Sequence, residues 1–246
     1  MENRTIFLPR KAAEKLMEQA ARDVKASSGG GTSPAPFISE GDILTTWCSK
    51  LACLGLSPKS NRPVSMINTV DVRSRIKNVF DPAAAYVQNL VFPCWVLSSV
   101  REIVSKPLGN LALVVRTALE SQMTDGQARA IVREQRARAA SGSHLMVGTP
   151  SSLLMPFSNW SKAKFFDVVD FAPAVVKSPK PVQERLNAAG RPVYHHAAGL
   201  TPNPMLRNVL NILGKDPQGN YWINALLPPR AWAKVPGELR SLSSEL

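Results

Sequence analysis

Histidine is scarce in this chain. Only His144, His195 and His196 occur in 246 residues, and none is followed four positions later by an aspartate. Cysteine is as sparse, at Cys48, Cys53 and Cys94. An odd count with no C-x-x-C pair excludes a disulfide framework and a thiolate zinc site, and no metal ligand set can be assembled from these residues. Each cysteine sits in an apolar run and reads as a reduced core thiol, which implies a reducing compartment. No apolar run approaches the ~18 residues that span a bilayer, and the opening MENRTIFLPRK has no signal-peptide core. The expectation is a soluble, cytoplasmic protein with no membrane partner. Acidic residues are few as well, 18 against 30 Lys and Arg, for a net charge of +12. That excess bears on partners rather than fold and favours phosphorylated ligands or polyanions. The basic residues are scattered, with no zinc-finger spacing, RNP-like strand or basic arm, so nucleic acid is not the favoured partner.

The hydrophobic fraction of 44 % suffices for a globular core. Arg4 to Leu8 is β-prone, and Pro9 opens a helix over about 9–25 with Ala12, Leu16, Ala20 and Val24 on one face. ASSGGGTSPAP, about 26–36, has nothing to bury and reads as a flexible loop within a single domain covering 1–246. Ser39 with Asp42 forms a capping pattern before a buried helix over about 40–54. PVSMINTVDVR (63–73) and the run broken by Pro93 (86–100) read as strands. Helices begin near Pro107 and after Thr124. From His144 onward, HLMVGT, FFDVVDF, RPVYHHA, MLRNVLNIL and NYWINALL read as short strands, the last two joined across GKDPQG as a hairpin. LPPRAWAKV closes the chain as a helix. The expected class is α+β, a mixed β-sheet with helices on one face.

The order of segments carries more than any one motif. PRKAAEKLMEQA, FISEGDILTTWCSKLA, INTVDVRSRI, AYVQNLVF, KPLGNLALVVRTAL, SNW, FFDVVDF and a final ALLPP follow one another with consistent gaps. In that order the chain resembles the C-terminal domain of the BAHD acyl-CoA-dependent acyltransferases, including their fungal trichothecene acetyltransferase-like relatives, from about residue 5 to 240. The resemblance implies one half of a chloramphenicol acetyltransferase-like two-domain fold. It implies acyl-CoA as co-substrate, with no bound cofactor, and a small-molecule acceptor whose hydroxyl or amine takes the acyl group in secondary metabolite biosynthesis. It also implies an HxxxD histidine as general base, supplied by an N-terminal domain.

Carried over residue by residue, the resemblance puts Ser158 and Trp160 in the oxyanion and thioester vicinity, where positioned donors stabilise developing charge. Asn89 falls on the CoA side, although Gln88 stands where the family has glycine. Asp170 is the aspartate of the family's DFGWG signature, with Ala172, Pro173 and Ala174 replacing its Gly-Trp-Gly. Its implied role is architectural, as an ion pair with Arg73 or Arg75. Arg129, Arg133 and Arg136 share one helix face and read first as a solvated charge run, with CoA phosphates as the ligand alternative. His195 and His196 are adjacent on an expected strand, so they point to opposite faces and form no two-His ligand set. With HxxxD absent, no catalytic residue is assigned. The resemblance then implies a truncated acyltransferase, inactive alone and completed by an N-terminal half. The alternatives are a non-enzymatic remnant acting as a binding or regulatory partner and a basic polyanion-binding module.

Overall fold

The computed structural model describes residues 1–28, 36–81, 83–143, 145–177, 181–185, 187–197 and 207–244. Most of the 26–36 loop and His144 lie outside the described residues. The chain divides into two compact units, residues 17–158 and residues 1–16 with 159–246.

The first unit is built on three strands, β2 (Pro63–Asp71), β3 (Val91–Ser99) and β4 (Leu153–Asn159, whose last residue belongs to the other unit). β2 is central, antiparallel to β3 and parallel to β4, so its sheet is mixed. Residues in register share a face. Met66 is paired with Val96 and Met155, and Val64 with Leu153; all are buried. That face carries α2 (Glu40–Cys53), from which Ser49 Oγ reaches Met66 Sδ at 3.0 Å, and α4 (Leu108–Gln122) packs against α2. Pro93 is accommodated because β3 has β2 on one side only and needs no ladder N–H on the other. The open edge is capped by a side chain, since Gln122 accepts from Trp95 N at 2.9 Å and donates to Trp95 O at 2.6 Å. This amide mimics a neighbouring strand and blocks pairing with another chain. A short α3 (Val100–Ser105) starts on a complete capping box of Ser99 and Glu102. α5 (Asp125–Ala140) is capped by Thr124, whose hydroxyl accepts from Gln127 N.

α1 (Arg10–Ser27) meets the start of α4 at Gly109, where a Cβ would lie 2.0 Å from Ala20 O. Asp23 accepts from Gly109 N at 2.9 Å, a carboxylate at a helix N-terminus. Only glycine permits that approach.

The second unit pairs β1 (Glu2–Leu8) with β6 (Tyr221–Leu227) and β6 with β5 (Val209–Lys215), all antiparallel. The hairpin turn is organised by Asp216, which accepts from Gln218 N, Asn220 N and Trp222 Nε1 at 2.9–3.0 Å. The chain closes with α7 (Pro229–Trp232) and α8 (Val235–Ser244); Trp232 Nε1 donates to Glu2 O at 2.8 Å.

Three expected strands are absent. HLMVGT forms no strand over its described residues, and the ladder starts instead at Leu153. FFDVVDF folds into a helical turn, α6 (Phe165–Val168), entered through Lys164 at φ 51°. RPVYHHA is irregular. Short apolar runs fit strand and helix equally, and the left-handed Lys164 settles the choice by turning the chain. No helix among the described residues is long and apolar enough to cross a membrane.

Candidate functional site

Ser158 stands near the end of β4 in register with Thr69 of β2. Its face is opposite the one that carries α2, and on it Ser65 is buried and donates to Val147 O at 3.0 Å. It also carries Ile67 with Pro156 and Trp95 in register, and Leu154 and Leu97 beside Ser65. Leu97 is 56 % exposed, and Ile67, Trp95, Leu154 and Pro156 are half-buried. Ser158 therefore sits on an apolar, partly aromatic sheet surface.

In the other unit, Trp160 is fixed by its backbone N–H donating to Ile212 O at 2.8 Å. Its ring meets Phe165 edge-on at 6.1 Å, and Phe165 and Phe166 both contact the His195 ring, at 5.4 and 4.9 Å. His195 Nε2 lies 3.2 Å from Leu213 O, a carbonyl that can only accept, so Nε2 is the donor of that bond. His196 Nδ1 is 2.9 Å from Tyr194 Oη, which is 3.1 Å from Thr5 Oγ1. The two histidines thus have separate surroundings. Among the described residues no group of three or more His, Cys, Asp or Glu is placed to hold a metal.

Asn89 and Arg73 are brought together. Both line a cleft of about 390 Å³ walled by Phe80, Tyr86, Gln88 and Leu90. Arg73 pairs with Asp71 at 3.1 Å, while its buried Nε has no hydrogen-bond partner among the described residues. Asp170, for which the resemblance implied Arg73 or Arg75, has an ion-pair partner within its own unit. Arg191 Nη2 lies 3.3 Å from Asp170 Oδ2, and Arg191 Nη1 donates to the carbonyls of Asp167 and Val169. Asp170 Oδ1 accepts from Ala172 N at 2.8 Å, starting the 3-10 turn Ala172–Ala174 where Gly-Trp-Gly was expected. Gly190 lies against that turn; its carbonyl accepts from Phe171 N at 2.8 Å, and a Cβ there would meet Ala172 N at 2.1 Å. Asp170 is therefore an anchor for its own segment. Arg191 gave no sequence signal, because its charge is one of 30 and its partner is 21 residues away.

Arg129, Arg133 and Arg136 line a second cleft of about 390 Å³ on α5. Burial pushes the thiols of Cys48, Cys53 and Cys94 up, the last two to about 12 and about 11, so none is a ready nucleophile. Burial also holds the Lys50 ammonium below its ordinary value. It donates to the carbonyls of Ile103, Val104 and Lys106 at 2.7–3.2 Å, closing the C-terminus of α3.

No family model matches the chain. It is 39 % identical over 253 residues to O-acetyltransferase PaAT-2 of Phomopsis amygdali, a match covering 98 % of this chain and 50 % of that protein. It is 32 % identical over 248 residues to Acetyltransferase pyiB of Pyricularia grisea, covering 100 % of this chain and 48 % of the relative. Among solved structures, F. graminearum TRI101 in complex with coenzyme A and T-2 mycotoxin superposes with a TM-score of 0.71 at 18 % identity, over 96 % of this chain and 48 % of that one. The chain spans about half the length of the curated relatives it matches. The structural likeness establishes the fold alone, α+β with a mixed sheet, corresponding to about half of that structure.

Proposed function

Since this chain shares descent over nearly its whole length with one half of the BAHD-type fungal acetyltransferases, we propose that it forms the thioester-facing half of an enzyme of secondary metabolism. That enzyme moves an acyl group from acyl-CoA to a hydroxyl or amine of a small molecule. The reaction needs a base to take the acceptor proton as its oxygen or nitrogen attacks the thioester carbonyl. The C–S bond then breaks and CoA leaves as the thiol. No histidine of this sequence has an aspartate four positions on, so the base comes from the other half. This half contributes the Ser158 hydroxyl and the Trp160 indole N–H as donors toward the developing oxyanion, and Asn89 with Arg73 on the CoA side.

The observation that carries the reading is the relationship at 39 % identity along 98 % of the chain. The partly exposed apolar sheet face around Ser158 supports it, because apolar surface of this kind is covered in a working protein. A second half seated there would wall a channel and hold two reactants in register, which accounts for much of the rate such enzymes achieve. The three buried free thiols are in keeping with a reducing cytoplasm.

The test is thiol release from acetyl-CoA in the presence of small-molecule alcohols and amines, with this chain co-produced with an HxxxD-bearing half of a relative. Turnover that falls by about 10²-fold or more in Trp160→Phe supports the reading, since removing an oxyanion donor costs on that order. A combination that assembles stably and releases no thiol above background defeats it.

A further inference from the structure

The second cleft lies on the helix-covered side of the β4-β2-β3 sheet. Ile76 in its lining belongs to the buried cluster of Val72, Phe92, Cys94, Met123 and Ala128, against which Phe80, Leu90 and Val132 pack, whereas Ser158 belongs to the opposite face. Its walls are the segment after β2 and one face of α5. Val79, Phe80, Leu90 and Val132 supply apolar surface, and Val79 is 52 % exposed.

The three arginines on its rim are not equivalent. Arg129 is neutralised and committed: its Nε donates to both oxygens of Asp125 at 3.1 Å and its Nη2 to Lys77 O at 3.0 Å. Lys77 N in turn donates to Asp125 Oδ1 at 3.1 Å. This ring of bonds ties the cleft wall to the first turn of α5 and fixes its width. Arg133 and Arg136 have no carboxylate partner among the described residues, while the neighbouring Arg138 takes Glu134. Spaced i, i+3, they lie on one side of the helix with two uncompensated guanidinium groups above an apolar hollow. Guanidinium forks match phosphate oxygens in geometry and charge. A cleft of about 390 Å³ is within the range that takes a small ligand.

We propose that this cleft binds a small amphipathic anion, a phosphomonoester on a flat apolar body, with the phosphate between Arg133 and Arg136 and the body against Phe80 and Val132. The site is complete within residues 17–158 and does not depend on the acyl-transfer reading.

The experiment is calorimetric titration of the full chain at low salt with 1-naphthyl phosphate, adenosine 3′,5′-bisphosphate and inorganic phosphate. Both aromatic esters should bind, and the tighter of the two tells whether a nucleotide or a simple aromatic fills the hollow. Inorganic phosphate should be at least about tenfold weaker, the apolar wall being lost to it. Arg133→Gln/Arg136→Gln should weaken the esters at least about tenfold, and Arg133→Lys/Arg136→Lys by an intermediate factor, since the charge stays and the fork goes. Both positions are exposed, so the fold survives, as circular dichroism checks. Val79→Asp should weaken binding by placing a carboxylate in the hollow. Arg22→Gln on α1, equal in charge change to either single change Arg133→Gln or Arg136→Gln and outside the cleft lining, should leave affinity unchanged. The site is refuted if Arg22→Gln costs as much as a single change on α5, if the double glutamine variant still binds fully, or if inorganic phosphate binds as tightly as the esters.

Discussion

Arg116 on α4 reaches the cap of α2, where its Nε and Nη2 donate to Asp42 Oδ2 at 2.9 and 2.6 Å and Nη2 also donates to Ser39 Oγ at 2.7 Å. The same carboxylate oxygen accepts from Ser39 N and Ser39 Oγ at 2.7 and 2.8 Å. The pair is buried, with side-chain exposures of 14 % and 6 %. Removing one partner strands a buried charge, which costs about 3–5 kcal/mol. Arg116→Leu should therefore lower unfolding free energy by that amount in urea titrations; a loss below about 1 kcal/mol would show that the pair is dispensable.

Gly109 and Gly126 make a controlled contrast. A Cβ at Gly109 would sit 2.0 Å from Ala20 O, while at Gly126 it meets nothing within 4 Å. Gly109→Ala should cost about 2 kcal/mol or more by forcing α1 and α4 apart. Gly126→Ala should be neutral or stabilising by up to about 1 kcal/mol. Thermal melts of the two variants decide it, and equal effects would contradict the close approach.

The buried thiols set a pH dependence. Their ordinary value is 9.0, and burial raises Cys94 to about 11 and Cys53 to about 12 in the folded chain. Below pH 9 both states hold these protons and stability is full. Above it only the unfolded chain ionises, so stability falls by about 1.4 kcal/mol per pH unit for each such thiol. Lys50, lowered by burial from 10.5, works in the opposite direction, since the unfolded amine holds its proton longer. Three thiols against one amine leave a net fall between pH 9 and 11. Denaturant midpoints over that range should decline, and Cys53→Ala should flatten the decline. At pH 8 the thiols should react with a disulfide reagent only on unfolding.

The partly exposed apolar face predicts self-association of the chain by itself. Leu97, exposed on that face beside Ser65, tolerates charge without loss of core. Sedimentation of Leu97→Lys should show less association than the parent chain. A monodisperse parent at high concentration would count against the face as a docking surface.

The first half of the fold was largely legible in the sequence, and the second half only in part. Ser39 with Asp42, Thr124 and Pro107 mark helix starts, because caps satisfy orphan N–H groups with local residues and so leave local signals. Hairpin β5-β6 was legible from GKDPQG for the same reason. FFDVVDF and RPVYHHA misread because their conformation is set by distant partners, Leu213 O for His195 and Arg191 for Asp170. At the candidate site, the family resemblance singled out Ser158, Trp160 and Asn89. It could not reveal that Gln122 closes the β3 edge, that Arg133 and Arg136 stand over an apolar cleft, or that Arg191 holds Asp170.

Thiol release from acetyl-CoA by this chain alone, with a panel of alcohols and amines, bears most directly on the claim that it is one half of an acyltransferase whose base lies elsewhere. The account predicts no turnover above background from the chain by itself and turnover when an HxxxD-bearing half is supplied. Repeated turnover by the chain alone would contradict it, because the base would then have to be a residue of this sequence.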